Sequence, residues 1–419
     1  AVICSFGTGN AIQSFTVADQ FRQDLGIPTV LTGLVMALLV GAVILGGIKR
    51  IGAVTSKLVP FMCVLYIFAG LVVLGLHAGD VWPALVTVFE SAFKPAAQVG
   101  GFAGGGFVFM LTWGVKRGLF SNESGQGSAP IAHASAKTDE PIREGNVAML
   151  GPFVDTLVVC TITGMVIITT GVWSHKQVQR LPVNSQSALT AIVSSAAVHS
   201  NGVIEPGDLA AGKFHVAQGE PEGFTLVRNN GAVSRTRLLR AKGDLLDRGA
   251  RPFDGRVLIP PQAGGEFSAA QFFTAGGRRI PASRIWVEGA ALQNGSPLTS
   301  WAFQKGLGNL AGGRGNLLVT VAVLFFALST AISWSYYGDR SIQYLAGDRW
   351  IVPYRVVYVI MHFLGAIYSL EIVWTFGDTA LGLMTFPNLL AVLLLTGKVR
   401  KMKQDYVRSG KLRPPGQGG

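Results

Sequence analysis

The sequence predicts an all-α integral membrane protein interrupted by one β-rich, extramembrane insert, and three observations carry that prediction. Only 14% of the residues are charged, against about 25% in ordinary soluble domains. The charge is segregated, since residues 30–48 and 58–76 contain none. Residues 174–314, by contrast, are polar, with short apolar stretches separated by turn signals.

A bilayer core is crossed by roughly 20 apolar residues in helix, because backbone groups without water must be paired within the segment. On that length the chain divides into membrane segments at 1–18, 30–48, 58–77, 99–115, 146–173, 315–337, 354–373 and 377–397. The first opens at AVICSFGTGN, already apolar and without Met, so further membrane sequence is expected before it. The fourth is rich in glycine, and the seventh holds Arg355, His362 and Glu371.

Charge sets the orientation. Basic residues gather in 49–57 (Lys49, Arg50, Lys57), 116–145 (Lys116, Arg117, Lys137, Arg143), 338–355 (Arg340, Arg349, Arg355) and the tail from Lys398 onward. The alternate connectors 19–29 and 78–98 carry only Arg22 and Lys94. An even number of crossings puts the basic loops on one side, and the positive-inside rule makes that side cytoplasmic. Residues 174–314 then lie outside. Much of the net charge of +12 is thereby topological and implies no nucleic-acid partner; the partner it implies is membrane lipid. Cys4, Cys63 and Cys160 all sit in apolar segments, without metal-ligand spacing or a disulfide framework.

Within the insert, FHVAQGEPEGFTLVRNNGAV, FDGRVLIPPQAGG and RRIPASRIWVEGAAL alternate apolar runs with turns, and Asn229-Asn230-Gly231 is a tight-turn signal. The insert shows no nucleophile elbow, metal cluster or phosphate loop. In the membrane part, His362, Glu371 and Asp378 fit neither a metal-ligand spacing nor a catalytic triad. The chain is therefore read as something other than an enzyme, with no cofactor.

Residues 99–136 are the place to look for binding chemistry. Glycines at 100, 101, 104, 105, 106, 114, 118, 125 and 127 each cost a helix interior about 1 kcal/mol relative to Ala. Two readings stay open: a helix broken where its backbone lines a cavity, or close packing through small residues. The polar run Ser121, Asn122, Glu123, Ser124 does not decide between them. Asp155, inside the fifth segment, would cost roughly 2.5–3.5 kcal/mol if ionised at the bilayer centre. It is either a functional acid or a structural one, paired to a loop Arg or Lys or capping a neighbouring helix. Glu123 is read as a gate or an ion-pair partner at the inner mouth, and His133 as a satisfied loop histidine. Glu371 and Asp378 are read as solvated residues flanking an outer turn.

Three stretches carry a resemblance: GVKRGLFSNESGQGSAPIAHASAKTDEPIREGNVAMLGPFVDTLVVCTITGMVIITTG from Gly114, GGIKRIGAVTSKLVPFMCVLYI at 46–67 and AISWSYYGDRSIQYLAG at 331–347. Over about 1–173 and 315–400 the chain resembles the alanine or glycine:cation symporter family, with the insert left out. The resemblance implies a leucine-transporter-like inverted-repeat fold, present in part. Segments 1–173 would supply the third to seventh core helices and 315–400 the eighth to tenth, ahead of a cytoplasmic basic tail at 401–419. It also implies sodium-coupled import of a small neutral amino acid, alanine or glycine, by alternating access across the bacterial inner membrane. Gln13 then falls beside the substrate, and Thr330 and Trp334, four apart on one helix face, line the same site. Ser329 and Thr330 match a hydroxyl pair that binds sodium, which as a hard cation takes oxygen ligands. Gly101 and Gly104 would offer backbone contacts and Phe120 a wall. Family members open with further segments, including an unwound first core helix. An alternative therefore stays open, in which this chain does not transport and its outer domain binds a partner.

Overall fold

The computed structural model describes residues 1–93, 111, 114–115, 117–118, 121, 123, 125–183, 189–192, 210–218, 220–228, 231–232, 234–240, 251–260, 267–368 and 370–409. Five helices among them are long and apolar enough to cross a membrane.

The chain opens with α1 (Val2–Phe6), a π-helical turn (Gly7–Ala11) and α2 (Ile12–Leu25) in one continuous rod. Gly26 ends it in the left-handed conformation at φ 69°, with its N–H bonded back to the last turn, the usual glycine stop of a helix. α3 (Thr29–Ile44), α4 (Gly47–Leu76) and α5 (Ala78–Phe93) follow. The connector expected at 78–98 is thus helical through Phe93. Its proline, Pro83, lies in the first turns of α5, where few intrahelical N–H bonds are lost. After α6 (Ala129–His133), the helix α7 (Pro141–Thr169) contains a second π-helical stretch, Phe153–Cys160.

Residues 176–292 are built from strands. One sheet runs in the order β1 (Lys176–Pro182), β12 (Ile285–Leu292), β7 (Ser234–Arg240), β8 (Arg251–Pro252). A second has the order β11 (Arg279–Ile280), β10 (Gln271–Thr274), β9 (Gly255–Ile259), β3 (Gly212–Ala217), β4 (Glu220–Pro221). A third joins β2 (Thr190–Ile192), β5 (Thr225–Arg228) and β6 (Gly231–Ala232). β5 and β6 pair with Arg228 opposite Gly231; Asn229 and Asn230 lie outside the described residues. The strands share one apolar core, including Phe253, Phe267, Phe272, Val257 and Leu238.

The chain then returns to helix with α8 (Gly295–Leu307), α9 (Gly315–Ala346), α10 (Ile351–Ile367) and α11 (Leu370–Arg408). The turn expected near 374–376 lies instead at Tyr368, whose backbone is extended. Asp378 is consequently inside α11, well past the turn, while Glu371 stands in the first turn of that helix. Asp378 is not simply solvated either, because Arg117 reaches it at 3.1 Å. α11 also continues through the basic stretch to Arg408, whose Lys, Arg and Gln residues are good helix formers.

Large apolar side chains point outward from these helices, among them Phe61, Val64, Leu393 and Leu394. Polar ones point inward. Asn10 donates to the Tyr358 carbonyl at 2.8 Å and accepts from His362, and the Tyr358 hydroxyl donates to the Ala331 carbonyl at 2.7 Å. Arg355 on α10 grips Asp339 on α9 with a closest approach of 2.6 Å. These bonds tie the first rod to α9 and α10.

Candidate functional site

A cavity of about 520 Å³ opens between the first rod, residues 121–133, α7 and α9. Seven residues named from sequence border it: Gln13, Ser121, Glu123, His133, Asp155, Thr330 and Trp334.

α9 supplies the wall by periodicity. Thr330, Trp334 and Tyr337 stand at i, i+4 and i+7, so they form one stripe. Trp334 and Tyr337 meet edge to face at 5.3 Å between ring centroids. Trp334 is seated against backbone: a Cβ added at Gly9 would stand 2.0 Å from its Cγ. Glycine at position 9 is therefore required by space. Glu123 borders the same cavity as Trp334 and Tyr337.

The first rod contributes its widened turn. Thr8 lies within the π-helical Gly7–Ala11 stretch, and its hydroxyl donates to the Gly377 carbonyl at 2.9 Å. Gln13, five residues on, donates through Nε2 to the Thr8 carbonyl at 3.3 Å. α7 shows the same device. In a π-helix residues five apart stack along the axis, which aligns Asp155 with Cys160. Ser121 reaches both, Asp155 Oδ2 at 3.3 Å and Cys160 Sγ at 3.3 Å. The loop Arg or Lys expected to pair with Asp155 is not among the described residues in contact with it; Ser121 and Thr156 are.

Between them the helix is interrupted. Residues 125–128 are turns and bends. Gly125 and Gly127 adopt φ values of 83° and 99°, open to glycine and strained for other residues. Asn388 of α11 pins this stretch by donating to the Gly125 carbonyl at 2.8 Å. The irregular backbone left open by the sequence is thus realised here, beside the cavity. Gln126 is 1% exposed and lines the cavity, yet its Nε2 has no partner. The sequence reading missed it, as it missed Thr8 and Tyr337. A glutamine flanked by glycines, in a stretch already marked by its glycines, was the available signal for the first.

Not every expected residue arrives at the cavity. Ser329 turns toward α4, donating to the Phe326 carbonyl at 2.9 Å and facing Met62 Sδ at 3.7 Å. Gly101, Gly104 and Phe120 lie outside the described residues. His133 borders the cavity and is paired with Glu144 at 2.7 Å. His362 is buried against Asn10.

The chain was then compared with known proteins. The profile of the sodium:alanine symporter family matches residues 1–202 and 278–414, leaving out only the middle of the strand-rich region. The sodium/alanine symporter AgcS of Methanococcus maripaludis is 35% identical over 94% of this chain and 60% of its own length. An uncharacterized transporter of Haemophilus influenzae is 29% identical over 98% of this chain and 64% of its own. A sodium/proton-dependent alanine carrier protein of Bacillus sp. strain PS3 is 24% identical over 94% of this chain and 65% of its own. The chain spans a little over three fifths of the length of these relatives. The matched family is one of transporters, not enzymes, and with the apolar helices it makes this a multi-pass membrane protein. The matched residues take in both the interrupted segment and the α9 stripe that bound the cavity, and the chain belongs to the sodium:alanine symporter family.

Proposed function

We propose that this chain carries the substrate cavity of a sodium-coupled symporter that imports a small neutral amino acid, alanine or glycine. The supporting observation is the convergence of Gln13, Gln126, Thr330 and Trp334 on one polar cavity in a bundle whose outer faces are apolar. An amino-acid carboxylate needs donors, and the buried, unpartnered Gln126 Nε2 is placed to serve. Thr330, with Ser329 beside it, offers hydroxyl oxygen to sodium. Trp334, seated against Gly9, closes the cavity to bulky side chains.

The same reading takes the helices as the third to tenth core helices of a leucine-transporter-like fold working by alternating access. It places the basic end of α11 in the bacterial cytoplasm and 174–314 outside. Sodium bound at Thr330 would stabilise the substrate-holding state, so that its inward gradient drives import. Glu123 and Asp155 flank the cavity as gating or positioning groups.

Purified protein in liposomes, given an inward sodium gradient and labelled alanine or glycine, is expected to accumulate label, and choline replacement to abolish it. The strand-rich region's own core favours a second reading, in which that region engages a partner and the helices anchor it. Absence of accumulation would select that second reading.

A further inference from the structure

A second polar cluster lies away from the cavity, where α2, α8 and α9 meet. Asp24, in the last turn of α2, accepts on Oδ2 from Gln20 Nε2 at 2.7 Å, from Ser300 Oγ at 2.8 Å and from the Thr320 hydroxyl. The two hydroxyls also reach the Asn316 carbonyl, at 3.4 Å from Ser300 and 3.1 Å from Thr320. Helical spacing builds the cluster, since Gln20 and Asp24, and Asn316 and Thr320, are each four apart.

Two features go beyond ordinary hydrogen bonding. Asp24 has no ion-pair partner among the described residues: Arg22 turns to Asp19 at 2.7 Å and Lys305 to the Thr170 carbonyl at 2.6 Å. Gln20 is fully buried, and its Oε1 has no partner. That oxygen belongs to the same carboxamide whose nitrogen touches Asp24, so it lies within the cluster. A half-turn of the amide points it at the carboxylate, an arrangement that needs a proton or a cation between the two acceptors, and the cation makes use of the other oxygens around it. The set is then oxygen throughout: one carboxylate, one amide carbonyl, one backbone carbonyl and two hydroxyls. Hard cations take such ligands, and the single negative charge matches a monovalent ion.

We propose that Asp24, Gln20, Ser300, Thr320 and the Asn316 carbonyl form a second, structural site for sodium. The ion would fasten α8, the helix that leaves the strand-rich region, to α2, whose Gln13 borders the cavity. The site is distinct from Thr330, which lies ten residues further along α9, roughly 15 Å at helical rise.

The test is sodium binding and thermal unfolding of the purified protein in detergent, with choline as the balancing cation. Asp24→Asn is expected to remove one bound 22Na+ per chain and to shrink the sodium-dependent rise in Tm. Thr320→Val and Ser300→Ala are each expected to weaken sodium binding about tenfold, and they carry the test if Asp24→Asn does not fold. In a Thr330→Val background, Asp24→Asn should still remove one bound 22Na+ per chain. Unchanged sodium binding in all three cluster variants would overturn the site, as would a rise produced by calcium but not sodium. Failure of alanine uptake alongside Asp24-dependent sodium binding would refute the transport reading and leave this one standing.

Discussion

The strand-rich region and the helix bundle are built inside out with respect to each other. In the strand region the buried set is apolar and aromatic, with Phe272 meeting Phe267 and Phe253 edge to face at ring-centroid distances of 5.6 Å and 6.0 Å. In the bundle the outer faces carry the large apolar side chains, and Asn10, His362, Ser335 and Asp339 are buried. Each arrangement answers its solvent. Water rewards burial of apolar area, whereas lipid offers no such drive and leaves polar contacts and packing to hold helices together. The second arrangement leaves polar groups around an interior cavity.

That contrast can be broken by substitution. Phe272→Ala should cost the strand region about 3–5 kcal/mol, as large-to-small core changes do, read as early loss of strand signal in thermal circular dichroism. The bundle's equivalent is a polar change. Asp339→Asn leaves Arg355 buried without its carboxylate and should cost roughly 3–5 kcal/mol, seen as a lower helix melting temperature. Gly9→Ala should displace Trp334, costing about 1–3 kcal/mol through overpacking and altering the tryptophan emission of the folded protein. The smallest effect sharpens the comparison: Leu394→Ala removes a large apolar side chain that is 76% exposed. It should change stability by less than about 0.5 kcal/mol, where the same change at Leu238, fully buried in the strand core, should cost about 2–5 kcal/mol.

Much of this was legible in the sequence, for reasons that also explain the rest. Charge-free runs marked the membrane helices because lipid excludes charge along a whole span. The spacing of Thr330 and Trp334 placed them on one face because helical period depends on little else. The helix at Ala78–Phe93 was hidden by Asp80 and Pro83, which read as connector but fit a helix's first turns. The break at Tyr368, not at 374–376, has no composition signal. The widened turns at Gly7–Ala11 and Phe153–Cys160 have none either, since π geometry answers to packing. Gln126 escaped because the polar run before it was assigned to the cytoplasmic end, when the interrupted backbone carries it back to the cavity wall. Ser329 and Thr330 looked equivalent in sequence, yet neighbours on a helix point about 100° apart, and only Thr330 faces the cavity.

The most direct test is sodium-driven accumulation of labelled alanine in liposomes by the wild-type protein, Gln126→Leu and Thr330→Val in parallel. The expected result is uptake by wild type that falls at least about tenfold in each variant, a loss of roughly 1.4 kcal/mol or more. Wild-type uptake matched by both variants would show that the cavity is not where the amino acid binds.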